Sequence, residues 1–581
     1  MRALRLRPED ALGWSLVAVL AVLVGLPLLL VIAQGVAPGI GLTQDWSIQP
    51  GLLGEIFSRP LWQASLVNSL TLAGGTMLLG GALGAGLALM RHTVRFPGVR
   101  LLDLAAWTLL VCPSFILAQG WVLLASPRGV AHATFGVDIS GFILSPAGLI
   151  VIMSLTQYPL AYLAVSAALH WDDRSHRQAA ALAGAGSWTV LRTVRIPLLT
   201  PAILSGAILV FVDVLGDFGL PAALSAAYDF PTLPYSIYAS VRQSPVSFDL
   251  GGVLSFYLVL IILAAVVLYL RVLRRSRYDF LAGGAVRSAP PRAQRPWVWS
   301  TATVLVLLFS LGLPLGTSLQ VSVTRTMHGG LRQENLTAEH YQAVFTSGSR
   351  MLEGMGNSLA IAAGAAVATT VLGFLIGVVL TFSRFRARGL IDLAGTVTLA
   401  VPGIVLAVGY IFVWNQPVLS DLGLGLYGSP GLLVLVGVAS ALPIAVRLQL
   451  GALAQIPESL LAAAGLSGAG LALRLRTVLL PLALPAVVSA FAAVLASGVF
   501  DLAGTTMLAP PNFTTLPVEI LMEYDRGMYG YASAGALLSA LLVVALAAAS
   551  QVLGERLMRR PDSEAVTEEP AASEREEMRA P

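Results

Sequence analysis

Few side chains in this 581-residue chain can do chemistry, and some of them recur. Asp217 and Asp501 each lie towards the end of a long apolar run, and Asp213 sits one helical turn before Asp217. An ionisable group in an apolar stretch is a functional candidate by default. Carboxylate oxygens also suit hard cations. The same aspartates can instead cap helix ends or hydrogen-bond across a bundle. Two roles therefore stand open for Asp213, Asp217 and Asp501: structure or gating, and direct contact with a solute in a pathway. Asp103 and Asp392 fall at the starts of apolar stretches, where an acid suits the positive end of a helix. The six histidines (His92, His132, His170, His176, His328 and His340) include no close helical pair within an apolar run, so no metal site is expected. Cys112 is the only cysteine, which excludes an intrachain disulfide and a cysteine-based metal centre. No catalytic residue and no cofactor are assigned.

One residue type is missing. All 35 basic residues other than histidine are arginine, and there is no lysine. A phosphate-binding loop of the G-x-x-x-x-G-K-[ST] kind needs its lysine on the β- and γ-phosphates. If ATP drives this protein, the ATPase is another subunit.

The elements that hold these residues are set by hydrophobicity. Hydrophobic residues make up 56% of the chain and charged ones 11%, against about 25% charged in soluble globular proteins. That balance excludes an ordinary soluble enzyme, a disordered protein and a nucleic-acid binder, and it makes the lipid bilayer the partner. A crossing helix needs about 20 mostly apolar residues. Twelve stretches qualify, roughly 13–34, 66–90, 101–124, 146–169, 199–221, 250–270, 298–320, 357–382, 392–414, 430–448, 482–505 and 532–554. Pro113 and Pro402 lie inside two of them, where each removes a backbone hydrogen bond and predicts a kink. With the N-terminus inside, 28 arginines fall on cytoplasmic segments and 7 on outer ones. This bias predicts both termini in the cytoplasm. The tail after Arg560 is rich in Glu, Ala and Pro and is expected to be disordered.

The chain is also a tandem duplication. Asn68-Ser69-Leu70 recurs as Asn357-Ser358-Leu359, Asp103 as Asp392 and Pro113 as Pro402, all at an offset of 289. Pro146, Pro197 and Asp217 recur as Pro430, Pro481 and Asp501 at 284, and Thr232-Leu233-Pro234 as Thr515-Leu516-Pro517 at 283. Six stretches per half give the two repeats one orientation, related by an axis along the membrane normal. The expected fold is an all-α polytopic membrane protein of two parallel six-helix repeats. Its divisions are 1–64 (first helix and outer loop), 65–270, a 271–297 linker, 298–355 (seventh helix and outer loop), 356–555 and a 556–581 tail.

The loops after the fourth and tenth stretches share a second pattern. One reads Gln178-Ala179-Ala180, then Gly184, then Pro197. The other reads Ala462-Ala463-Ala464, then Gly468, then Pro481, with identical spacing. Alanine favours helix, and glycine reaches positive φ at little cost. Each loop should present a short helical knob that turns at its glycine and feeds the next span.

This pattern resembles the E-A-A-x-x-x-G loop of type I ABC importer permeases. The resemblance implies that each knob seats in a cleft of an ATP-binding subunit and carries its motion into the membrane. The family's glutamate is replaced by Gln178 in one half and Ala462 in the other, so any ionic contact it makes is lost. Two halves in one polypeptide are similar to the ferric-iron, thiamine and 2-aminoethylphosphonate permeases. Gly216-Asp217-Phe218-Gly219 resembles an acid-Phe-Gly segment of these and of sulfate and molybdate permeases. The stretch from Asp213 to Thr232 looks most like iron(III) permeases. The resemblance implies two copies of an ABC ATPase, a solute-binding protein outside, and a bacterial cytoplasmic (inner) membrane. Alternating access would carry a solute inward, ferric iron first, with thiamine or a phosphonate as alternatives. An ion-coupled secondary transporter is the competing class. It should show a midplane site of broken helices, and the doubled glycine loop counts against it.

Overall fold

A computed structural model describes residues 8–37, 51–170, 182–224, 227–275 and 292–558. Gln178, Ala179, Ala180, most of the linker and the end of the tail lie outside them. The described residues are helical, apart from turns and two isolated bridges, Arg95 with Arg292 and Thr324 with Leu336.

Ten helices are continuous, long and apolar enough to cross a membrane. They are Asp10–Val36, Pro60–Thr93, Pro146–Leu169, Trp188–Gly216, Phe248–Leu273, Pro296–Ser322, Arg350–Phe382, Pro430–Leu453, Leu471–Val499 and Tyr529–Ser550. The other two expected spans are corrected. The third is two helices, Val99–Val111 and Ser114–Ala125, bent by 101°. The ninth is Arg388–Ala400 followed by Gly403–Trp414. The breaks fall where Cys112 and Val401 are extended (ψ 122° and 115°) ahead of Pro113 and Pro402. Proline disfavours α conformation in the residue before it and lacks a donor of its own. The matched prolines therefore end a helix rather than kink one.

The broken third stretch still runs from one end of the bundle to the other. It starts beside Pro97, whose carbonyl accepts from Ser300 Oγ at 2.9 Å, at the start of the seventh span. The short helix that follows it, Val130–Phe135, meets Met327–Gly329, beyond the other end of that span.

The halves embrace by exchanging their first helices. The first span lies against Gly403–Trp414 of the second half, and the seventh against Ser114–Ala125 of the first. A β-carbon at Gly409 would come within 2.7 Å of the Pro27 carbonyl oxygen, and Gly120 meets Pro314 in the same way. Glycine is required at both for this approach. Proline at 27 cannot bond the carbonyl of Leu23, and Tyr410 of the other half donates its hydroxyl there at 3.0 Å. The exchange thus fills a gap that the proline opens.

Candidate functional site

Two places qualify: the glycine loops at one end of the bundle, and a constriction where the broken stretches meet the ends of the fifth and eleventh spans.

In the second loop, Glu458–Leu466 is a helix that contains Ala462, Ala463 and Ala464. It ends on Gly468 at φ +82°. The Ala469 N–H donates to Ala464 O and the Gly468 N–H to Gly465 O, both at 3.1 Å. These two bonds form a Schellman motif, which needs a residue in the left-handed region just past the helix. Arg474 Nε donates to Ala469 O at 2.7 Å and ties the turn to the next helix. In the first loop Gly184 has φ +80°. Pro197 and Pro481 each take the second position of a span's straight portion, after the wide turns Leu191–Arg195 and Leu475–Leu479.

Sequence reading passed over two leucines here. Leu182 is 90% exposed and Leu466 is 92% exposed, the highest values among the exposed large hydrophobic residues. They are separated by 284, the offset of the repeat. Each precedes its glycine by two residues. Leucine is unremarkable in so apolar a chain, so only exposure reveals them.

The fifth and eleventh spans end at Gly216 and Val499, so Asp217 and Asp501 sit just past them. Asp217 Oδ1 accepts from Ser114 Oγ at 2.8 Å and from the Gly219 N–H at 2.9 Å. Asp501 Oδ1 accepts from the Gly504 N–H at 3.1 Å. Both therefore cap the short helices that follow, Gly219–Leu224 and Leu502–Leu508. Ser114, which opens the second piece of the broken third stretch, was not singled out from sequence. Asp217 Oδ2 is buried with no hydrogen-bond partner among the described residues.

The two halves touch at this level. A β-carbon on Gly216 would lie 3.2 Å from the Pro402 ring, and Phe500 sets its ring edge-on to Phe115 with centroids 6.5 Å apart. Asp213 is exposed on the fifth span. Its counterpart Ser497 lines a cavity of about 210 Å³ with Ser440, Gly498, Asp501 and Thr505. Among the described residues no three His, Cys, Asp or Glu side chains are grouped to hold a metal.

Asp103 has a different setting from the helix-end role expected for it. It stands in the second turn of Val99–Val111, pairs with Arg91 at 3.0 Å and accepts from Tyr162 Oη at 2.5 Å. Asp392 is exposed, and Leu380 stands where Arg91 would be.

The remaining repeat motifs turn out to bond each other. Asn68 Nδ2 donates to Pro231 O at 3.0 Å, and Ser69 Oγ accepts from the Leu233 N–H at 2.7 Å. Asn357 Nδ2 donates to Thr514 O at 2.9 Å, and Ser358 Oγ accepts from the Leu516 N–H at 2.9 Å. Each Asn-Ser pair clamps the start of the short helix opened by its Thr-Leu-Pro, at the end of the bundle away from the glycine loops.

Residues 80–278 and 351–560 match the family described as binding-protein-dependent transport system inner membrane component. The ferric transport system permease protein FbpB of Actinobacillus pleuropneumoniae is 24% identical over 538 residues, covering 88% of this chain and 75% of that one. The molybdenum transport system permease protein ModB of Escherichia coli K12 is 32% identical over 197 residues, covering 32% and 82%. A putative 2-aminoethylphosphonate permease protein, PhnU of Salmonella choleraesuis, is 27% identical over 249 residues, covering 41% and 82%. With the family's domain matched once in each half, the chain belongs to the binding-protein-dependent inner-membrane permeases of ABC importers, in the form that fuses two halves.

Proposed function

We propose that this permease carries ferric iron inward and is driven by two copies of a separate ABC ATPase bound at its glycine loops. The observation that carries the coupling is the duplicated turn: each loop has a positive-φ glycine with an almost fully exposed leucine two residues before it, and in the second loop the helix Glu458–Leu466 leads into that turn. An exposed leucine at the same place in both repeats fits a hydrophobic cleft on each of two identical partners. Each loop feeds a span of 29 residues. At 1.5 Å per residue such a helix is about 44 Å long. A push on the knob therefore reaches Gly216 or Val499, where one half touches the other. Closing the ATPases drives the loops together and turns the cavity outward, towards a solute-binding protein. Hydrolysis resets it. The ligands act only through a preference for one of the two states.

The arginine bias places the glycine loops, both termini and the linker in the cytoplasm. Iron is favoured by the ferric relative, which aligns along most of the chain, and by exposed Asp213 and the unpaired oxygen of Asp217. Carboxylates at a constriction suit a hard cation. A phosphonate is the second reading, supported by the aminoethylphosphonate relative. The complex should be reconstituted with its ATPase and binding protein and its hydrolysis measured. Iron-loaded binding protein is expected to stimulate hydrolysis. Stimulation by a phosphonate or thiamine instead would assign another solute. Hydrolysis by the purified chain alone would end the subunit reading.

A further inference from the structure

We propose that the pathway holds its solute in the second half only, in the cavity beside Asp501, and that this site takes a cation which keeps its own shell of hydrogen-bond donors, such as a metal ion with bound water. The proposal rests on the reading that the ends of the fifth and eleventh spans line the pathway. The cavity is about 210 Å³ and lies among Arg350–Phe382, Pro430–Leu453 and Leu471–Val499. At roughly 30 Å³ per water, it has room for an ion with about six waters. Gly498 and Asp501 of its lining flank Phe500, whose ring meets Phe115 of the first half.

The polar lining is made of acceptors. Ser440 Oγ donates its proton to Gly437 O at 3.3 Å, and Ser497 Oγ donates to Val494 O at 3.1 Å. Thr505 Oγ1 donates to Asp501 O. Each hydroxyl thus uses its single proton on the backbone and keeps lone pairs for a ligand. The Asp501 carboxylate accepts only, and the Gly504 N–H engages its Oδ1. Water bound to a metal ion donates strongly into such a lining, and so does an ammonium group. A bare oxyanion brings no donor and meets the charge of Asp501. It would have to break a backbone bond for every hydroxyl it engaged. Among the described residues no three His, Cys, Asp or Glu side chains are grouped to hold a metal. A six-oxygen shell is therefore not supplied by acids here, and the ion keeps its own ligands.

The duplication supplies an internal control. At the offset of 284, Gly437, Ser440 and Gly498 correspond to Met153, Thr156 and Val214. Those three are buried and fill the matched place in the first half. In the second half, β-carbons on Gly437 and Gly498 would lie 3.1 and 3.2 Å from those of Ala365 and Ala362. Small residues there open the cavity and let the helices approach behind it. Asp213 stands where Ser497 does and adds a negative charge on the first half's side.

Isothermal titration calorimetry of the full chain in neutral detergent tests this with three probes of fixed composition. Hexaamminecobalt(III) is a cation whose shell consists of donors, tetraethylammonium is a cation with none, and sulfate is an oxyanion. One hexaamminecobalt(III) should bind per chain, more tightly than tetraethylammonium, and sulfate should not bind. Ser440→Ala combined with Ser497→Ala removes two acceptors and should weaken the cobalt complex roughly ten-fold while leaving tetraethylammonium unchanged. Both serines are exposed and bond only within their own helices, so this variant keeps the packing intact. Thr156→Val, at the matched position of the first half, should change nothing. Binding of sulfate or tetraethylammonium as tight as that of the cobalt complex would overturn the proposal. So would an unchanged cobalt affinity in the serine variant, or an equal loss in Thr156→Val. These titrations involve no ATPase and no iron. Their failure would leave the transport reading to the hydrolysis assay, and a failure of iron in that assay would leave the cation site standing.

Discussion

At the scale of single residues, two glycines and one aspartate carry the sharpest expectations. Gly184 and Gly468 have positive φ, where any residue with a β-carbon is strained by about 1–2 kcal/mol. No atom lies within 4 Å of a β-carbon built on either, so a large side chain there projects outward rather than into the bundle. Gly184→Trp and Gly468→Trp should therefore insert normally yet lose ATPase co-purification or uptake, with the double variant worst. Normal uptake in the double variant, at wild-type membrane levels, would remove the loops as coupling elements. Asp213 is matched by Ser497. Asp213→Ser makes the halves alike and removes a negative charge from the exposed face of the fifth span. Such a charge raises the local cation concentration, so uptake of a cation should fall roughly ten-fold at low salt and less at high salt. Uptake that rises would point to an anion, and unchanged uptake would remove Asp213 from the pathway. The positive φ at both glycines follows the sequence reading. The capping by Asp217 and Asp501 shows why each acid is followed by a short helix.

At the scale of elements, the repeated motifs explain each other. Asn-Ser-Leu and Thr-Leu-Pro marked the duplication from sequence, and their spacing of about 160 residues gave no hint of contact. In the structure each serine oxygen takes the first N–H of the short helix beyond the constriction. Ser69→Ala or Ser358→Ala leaves that buried N–H without its acceptor, which costs about 1–3 kcal/mol. The two sites lie in different halves and share no partner, so the losses should add. Thermal unfolding of the detergent-solubilised chain is the readout. A double variant no less stable than either single one would show that the clamps are not independent. The prolines teach the converse lesson. Apolar length made 101–124 and 392–414 look like ordinary spans, because hydropathy does not register backbone conformation. The extended residue before each proline breaks them, and the breaks are where the halves meet.

At the scale of the whole molecule, the distribution of charge sets the expected orientation. Arginine asymmetry predicts that the linker lies on the cytoplasmic side. On a Cys112→Ser background, an impermeant thiol reagent should label Gln333→Cys in intact cells and spare Ala285→Cys. The reverse pattern would invert the topology. The sequence by itself determined that the chain lives in a bilayer, that it is two copies of one unit, and that a glycine loop recurs after the fourth stretch of each. Composition, period and spacing are one-dimensional, and these properties need nothing more. Only the tertiary structure decided that each half lends its first helix to the other, with Gly120 and Gly409 letting backbones touch. It alone showed that one half keeps a cavity beside Asp501 while the other has filled the matched place with methionine and valine. Such features depend on which side chains from distant segments meet at one point. That is fixed by packing and by the pairing of buried polar groups, and no local pattern in the chain encodes it.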